Sequence, residues 1–132
     1  MEISNQRLEE IIYFIRGLNF DKKYQKEFSN EKRINLAYIN ESLTHSSANS
    51  QFNYENLEFL GDAVLRLIAS DFIKNTYPNM KVGERSELRS HLVSDQWLEE
   101  VGKKIGISSV LVIGGKALRD KSAKATIQAE AT

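Results

Sequence analysis

The sequence predicts an all-α domain, because apolar residues recur at helical spacing along most of the chain and proline is nearly absent. The chain has 132 residues with a single proline, Pro78, and 41% of its residues are hydrophobic. This length and composition fit one folded domain. We therefore expect one helical bundle over residues 1–132, whose C-terminal part continues beyond Thr132.

Six helical segments are expected in order along the chain. They cover residues 6–16, 36 to about 44, 54–76, 82–95, 95–104 and about 125 onward. Gly17 ends the first, the Tyr77-Pro78 pair ends the third, and Asp95 and Gly106 are expected to cap the fifth. A polar, lysine-rich stretch follows the first helix up to about Arg33. The β-like run at residues 110–113 is interpreted as a helix end.

The composition excludes several classes of site. There is no cysteine, so disulfides, thiolate metal sites and cysteine nucleophiles are absent from the sequence, and a cytoplasmic location is expected. No apolar stretch approaches the roughly 20 residues of a membrane helix, so no membrane partner is expected. His45 and His91 lack ligand spacing, and we interpret both as structural.

Charge is balanced overall but unevenly distributed. The chain has 18 basic and 18 acidic side chains, yet residues 41–80 contain two basic and five acidic ones. A basic segment follows later, formed by Lys116, Arg119, Lys121 and Lys124 around Asp120. An acidic centre beside a basic segment suits a cation and a polyanion together, although a solvated basic loop is an equal alternative. Net charge alone neither supports nor excludes RNA or DNA.

The segment at residues 54–76 has two chemically opposite faces. With about 100° per residue, Glu55, Glu58 and Asp62 fall within about 60° of one another. The opposite face is expected to be core and consists of Leu57, Leu60, Val64, Leu67 and Ile68. Carboxylates four residues apart repel each other, so a compensating cation is expected. Either Arg66 supplies it within an ordinary solvated stripe, or a divalent metal ion does.

Phe59 lies on the acidic side of this helix rather than on the expected core side. A helix face that only meets water gains nothing from an aromatic ring, whereas a partner surface does. Single exposed aromatic residues are nevertheless common on protein surfaces, so both interpretations remain.

Four segments resemble the ribonuclease III family in order and spacing across about residues 35–132. The run YENLEFLGDAVL at residues 54–65 resembles the family signature, and LTHSS at residues 43–47 resembles its Leu-Thr-His element. Further on, LRSHLVS at residues 88–94 and TIQAEAT at residues 126–132 resemble two more family segments.

The resemblance implies a ribonuclease III endonuclease-domain-like helical bundle that hydrolyses double-stranded RNA with Mg²⁺, for which Mn²⁺ can substitute. It makes Glu58, Asp62 and Glu130 the catalytic metal-site carboxylates and Glu55 an auxiliary acid. It also implies a homodimer with Phe59 in the interface. The candidate RNA-binding residues are Lys116, Arg119, Lys121 and Lys124.

The chain departs from the family pattern in three places. Glu130 stands where the family usually has Asp, and the family's final Glu would fall just after Thr132. Val82 replaces an acidic residue, and the double-stranded-RNA-binding domain of bacterial members is not expected within these residues. Two alternatives therefore stay open: a non-catalytic dimer that binds RNA or a ribonucleoprotein, and a helical interaction domain with a solvated acidic stripe.

Overall fold

The computed structural model of the chain describes residues 3–18, 36–49 and 51–132, and within these ranges the regular elements are helices. They are α1 (Asn5–Gly17), α2 (Leu36–Ser42), α3 (Glu55–Thr76), α4 (Val82–Leu92), α5 (Asp95–Ile105), a 3₁₀ helix (Ile107–Ser109), α6 (Gly115–Leu118) and α7 (Lys121–Ala131). The predicted all-α class is confirmed for this part of the chain. The lysine-rich stretch expected up to Arg33 lies outside the described residues, as do the side chains of Lys121 and Ser122.

Most helix ends fall where the sequence predicts them, and three features differ: the end of α4 at Leu92 rather than at residue 95, the cap of α5 and the start of α7. Gly106 ends α5 in the left-handed region with φ of 72°. The side chain of Ser94, rather than Asp95, caps α5 by accepting a hydrogen bond from the Trp97 N–H. The last helix begins at Lys121, four residues before the predicted start, because Asp120 accepts a bond from the Ala123 N–H and stabilises an earlier first turn.

The run at residues 110–113 is not the helix end that we expected. It leaves the 3₁₀ helix and pairs with residues 43–45 in an isolated parallel bridge between Thr44 and Val112. The Val112 N–H donates to the Leu43 carbonyl and the His45 N–H donates to the Val112 carbonyl, both at 2.9 Å. The β-branched residues of this run favour the extended backbone that such pairing needs.

The main buried cluster contains no residue of α3. It contains Ile11 of α1, Leu43, Ile107 and Val110. Arg7 ties the same region together, since its guanidinium donates to the Asn40 side chain at 2.8 Å and to the Val110 carbonyl at 2.6 Å. This cluster fixes α1 and α2 against the segment that follows α5.

The apolar face of α3 is exposed, which contradicts the prediction that it forms the core. Leu57 is half-buried, but the rest of the face is 46% to 70% exposed: Leu60, Val64, Leu67 and Ile68. The buried residues of α3 are Ala69 and Ile73, which fall on the carboxylate side of the helix, two to three turns further along. Periodicity shows that a helix has two faces but not which one is covered. Within the described residues, the neighbouring helices pack on the polar side of α3.

Helix α5 packs closely on α7 because Gly102 has no side chain at their contact. A Cβ at Gly102 would meet Thr132 Oγ1 at 2.5 Å and the Gln128 carbonyl oxygen at 3.4 Å. This close approach sets the position of the last turn of α7. None of the described helices, α3 included, is both long and apolar enough to span a membrane.

Candidate active site

A cleft of about 330 Å³ lies between α3, α5 and the end of α7. Four carboxylates line it: Glu58 and Asp62 of α3, Asp95 of α5 and Glu130 of α7. Among the described residues, the lining contains no basic side chain. The cleft therefore concentrates negative charge between helices that are far apart in sequence.

The start of α3 is fixed by the segment before it. The Asn53 side chain accepts a hydrogen bond from the Glu55 N–H at 3.1 Å, and the Tyr54 N–H donates to the Thr44 carbonyl at 3.0 Å. The Glu58 N–H in turn donates to the Tyr54 carbonyl at 2.8 Å. These bonds anchor the first turn of α3, from which Glu58 reaches the cleft.

Glu58 carries the clearest electrostatic signature of the cleft. Partial burial raises the pKa of its carboxyl above its ordinary value, and the negative charges of Glu130, Asp95, Glu55 and Asp62 raise it further, in that order. Glu58 is still exposed to solvent, and these neighbours disfavour its charged form relative to an isolated glutamate. The cleft therefore favours either a proton or a cation at Glu58.

Asp62 has a different neighbour. The Arg66 Nε donates to both of its carboxylate oxygens, at 3.0 and 2.8 Å, and this bond lowers the pKa of Asp62 below its ordinary value. The salt bridge considered from the sequence is therefore present, although Asp62 also lines the cleft. The negative charge of Asp62 can therefore be balanced either by Arg66 or by a cation in the cleft.

Glu130 meets the phenol of Tyr54. The Tyr54 hydroxyl donates a hydrogen bond to Glu130 Oε2, and the buried Tyr54 ring also lines the cleft. Burial first, and then the bond to the Glu130 carboxylate, raise the pKa of Tyr54, so the phenol stays protonated. The chain thus supplies a neutral donor to the one acid contributed by α7.

The structure separates the remaining candidate residues from the cleft. Glu55 is exposed and absent from the lining, although its charge acts on Glu58. Phe59 is 83% exposed and is absent from the lining. Lys116, Arg119 and Lys124 are exposed at α6 and the start of α7, while the side chain of Lys121 lies outside the described residues. Lys124 and Glu130 are about 9 Å apart along the axis of α7.

The carboxylates share the cleft without converging on one point. In residues 3–18, 36–49 and 51–132, no three acidic or histidine side chains come together closely enough to hold a metal ion as a group. The oxygen donors are nevertheless of the type that Mg²⁺ and Mn²⁺ prefer. In its chemistry the donor set fits a hard divalent cation.

Sequence reasoning missed two residues of the cleft. Asp95 was interpreted as a helix cap, and nothing in its spacing indicates that it faces Glu58 across the fold. Tyr54 directly precedes the acidic signature, but a single tyrosine carries no signal for a bond to Glu130. Both placements depend on how α5 and α7 pack against α3.

Comparison with known proteins decides the family. A family model described as ribonuclease-III-like matches residues 35–132. The curated Ribonuclease 3 of Prochlorococcus marinus is 45% identical over 130 residues, which cover 98% of this chain and 52% of that protein. The Ribonuclease 3 of Borreliella burgdorferi is 35% identical over 130 residues, 98% of this chain and 51% of that protein. The chain belongs to the ribonuclease-III-like family.

Solved structures agree with this assignment at the level of the fold. Two structures of the nuclease domain of ribonuclease III from Campylobacter jejuni resemble the ribonuclease-III-like chain, with TM-scores of 0.68 and 0.66 at 24% and 21% identity. The first match covers 74% of this chain and 68% of that one, and the second covers 98% and 78%. The chain spans about half the length of the curated relatives described above.

Proposed function

We propose that this chain acts as the nuclease domain of an endoribonuclease that hydrolyses phosphodiester bonds of double-stranded RNA with a divalent metal ion. The observation that carries the proposal is the single cleft lined by acids of α3 and α7 in a ribonuclease-III-like fold. We further propose that the protein works in the cytoplasm, which the absence of cysteine supports.

Glu58, Asp62 and Glu130 are the proposed metal ligands and catalytic residues, with Glu55 as an auxiliary acid outside the lining. Mg²⁺ is the proposed ion and Mn²⁺ its substitute, because the donors are carboxylate oxygens. When bound, such ions supply a nucleophilic water and stabilise the leaving oxygen of the phosphodiester. The protein's part is to hold the carboxylates around the cleft and to favour charge compensation at Glu58.

The basic side chains Lys116, Arg119, Lys121 and Lys124 are proposed to bind the RNA backbone. Lys116, Arg119 and Lys124 are exposed, and the segment lies toward the opposite end of α7 from the acidic cleft. Duplex RNA is recognised through its phosphates and 2′-hydroxyls, which extend well beyond one scissile bond. A separate basic segment suits this mode of binding.

The exposed apolar face of α3 supports the proposed homodimer. Leu60, Leu67 and Ile68 of this face are 61%, 70% and 59% exposed, and Phe59 is 83% exposed on the acidic side of the same helix. An exposed run of large apolar side chains marks an interaction surface, and a two-fold axis lets one helix supply both halves of it. Phe59 is the proposed residue of this interface nearest to the acidic face.

Cleavage of a labelled RNA duplex tests the proposal. We expect the wild-type protein at its natural length to cut double-stranded but not single-stranded RNA in Mg²⁺, and we expect EDTA and the Glu58→Gln substitution to abolish cutting. The exposed Glu87 of α4 lies outside the cleft lining, so Glu87→Gln is the matched control and should cut normally. Cutting by Glu58→Gln would refute the proposal, and duplex binding without any cutting would instead favour the non-catalytic RNA-binding dimer.

A further inference from the structure

Tyr54 connects the two helices that supply the acids of the cleft. It precedes α3, which carries Glu58, and its hydroxyl donates to Glu130 Oε2 on α7. The two residues are far apart in sequence, so the bond depends on tertiary packing. A change at the Tyr54 hydroxyl therefore acts directly on the carboxylate of α7.

The Tyr54 ring is held in place by contacts that do not involve Glu130. Its backbone N–H donates to the Thr44 carbonyl at 3.0 Å, and its ring packs edge-on against His45 with centroids 5.5 Å apart. His45 is itself fixed by the bond from its N–H to the Val112 carbonyl at 2.9 Å. The hydroxyl is thus a donor of fixed position rather than a side chain that follows its acceptor.

Glu130 has a specific donor within the cleft, the Tyr54 hydroxyl. Glu130 and Glu58 line the same cleft, so their negative charges repel each other across it. Asp62 is bonded by Arg66, whereas Glu130 has the neutral phenol. The flexible glutamate side chain also leaves its carboxylate poorly defined without a partner.

We propose that Tyr54 is a positioning residue, whose hydroxyl holds the Glu130 carboxylate facing Glu58 so that both can bind the same divalent cation. This inference rests on the proposed function, because it concerns the metal site of that function. Partners that orient a metal ligand commonly change metal affinity by about 10- to 100-fold when they are removed.

Calorimetric titration with Mn²⁺ tests the role without an activity assay. We expect Tyr54→Phe, which keeps the ring, to weaken Mn²⁺ binding about tenfold. Tyr77→Phe is the matched control, because Tyr77 follows α3 at its other end and also packs edge-on against an aromatic ring, that of Phe72. It should bind Mn²⁺ like the wild type.

A second pair of variants separates positioning from general stability. Ile73→Val loosens a buried position of α3 away from the cleft lining, and it should lower the melting temperature without weakening Mn²⁺ binding. In a Glu130→Gln background, Tyr54→Phe should cause no further loss of Mn²⁺ affinity, because the carboxylate that it positions is already gone.

Each remaining outcome decides against the inference. If wild type and Tyr54→Phe bind Mn²⁺ equally, or if Tyr54→Phe adds its full loss to Glu130→Gln, Tyr54 does not act through Glu130. If Tyr54→Phe is unfolded by circular dichroism, the hydroxyl is structural and the inference is wrong. These results leave the proposed function standing, whereas a wild type that binds no Mn²⁺ overturns both.

Discussion

Arg66 binds Asp62 through both carboxylate oxygens, with its Nε 3.0 Å from Oδ1 and 2.8 Å from Oδ2. The two residues are one helical turn apart on α3, and both side chains are more than half exposed. Asp62 also lines the cleft that contains Glu58 and Glu130. The same carboxylate is therefore shared between an intrahelical salt bridge and the proposed cation site.

Removing this competitor should strengthen metal binding. We expect Arg66→Ala to tighten Mn²⁺ binding, measured by electron paramagnetic resonance titration. In this variant Asp62 can bind the ion without first breaking its salt bridge to Arg66. Lys74→Ala removes one positive charge from the same helix outside the cleft lining and serves as the control. An equal gain in both variants would show a general charge effect, and no gain in Arg66→Ala would remove Asp62 from the metal site.

The raised pKa of Glu58 gives a prediction for stability against pH. A carboxyl whose pKa is higher in the folded state binds more protons there, so its contribution to stability is lost as pH rises from 4.5 through the folded pKa. Glu58→Gln should therefore unfold at higher urea concentration than wild type at pH 7, with the difference vanishing below about pH 4. Glu87→Gln, which alters an exposed acid outside the cleft, should show no such pattern. A Glu58→Gln variant less stable than wild type at pH 7 would contradict the electrostatic account.

Two adjacent glycines provide a matched test of the turn that leads into the basic segment of α6 and α7. A Cβ at Gly114 would lie 2.2 Å from the Ser47 carbonyl oxygen, whereas one at Gly115 would meet nothing within 4 Å. The Gly114 N–H also donates to Ser47 Oγ at 2.9 Å. We expect Gly114→Ala to cost about 1–3 kcal/mol in denaturant unfolding and to weaken salt-dependent binding of duplex RNA. Gly115→Ala should change neither, and equal effects of the two substitutions would exclude the Ser47 contact as the cause.

The exposed apolar face of α3 predicts the result of sedimentation experiments. We expect the wild type to dimerise at micromolar concentration and Leu67→Asp to be monomeric with unchanged helical content, since each buried leucine side chain contributes about 1.5–3 kcal/mol. Tyr13→Asp is the control, because Tyr13 is 83% exposed on α1, away from this face. Ile73→Ala should instead lower folding stability by about 2–5 kcal/mol, since Ile73 is buried. A dimer that survives Leu67→Asp would exclude this face as the interface.

The sequence predicts the elements of this fold better than their packing. Pro78 and Gly106 end helices where expected, because the missing N–H of proline and the left-handed φ of Gly106 are local constraints. The prediction of which face of α3 is buried is wrong, since Leu60 and Leu67 of the expected core face are exposed and Ile73 on the carboxylate side is buried. Burial depends on the neighbouring helices, and periodicity carries no information about them.

In the candidate site, too, the sequence predicts the residues placed by local spacing but not those placed by tertiary packing. Glu58 and Asp62 share one helix face, so their proximity follows from spacing alone. Glu130 is predicted as a site residue only by resemblance to a family motif, and in the structure it lines the cleft. Asp95 and the Tyr54 hydroxyl enter through tertiary packing of α5 and α7, which no local pattern encodes.

The most direct test of the central claim is a calorimetric Mg²⁺ titration of the wild type beside two charge-matched double variants. Glu58→Gln with Asp62→Asn removes the cleft acids of α3, while Glu87→Gln with Asp71→Asn removes two exposed acids outside the cleft lining. We expect saturable Mg²⁺ binding by the wild type and by the second variant, and its loss in the first. Equal Mg²⁺ binding by all three proteins would contradict the claim that the cleft carboxylates form a metal site.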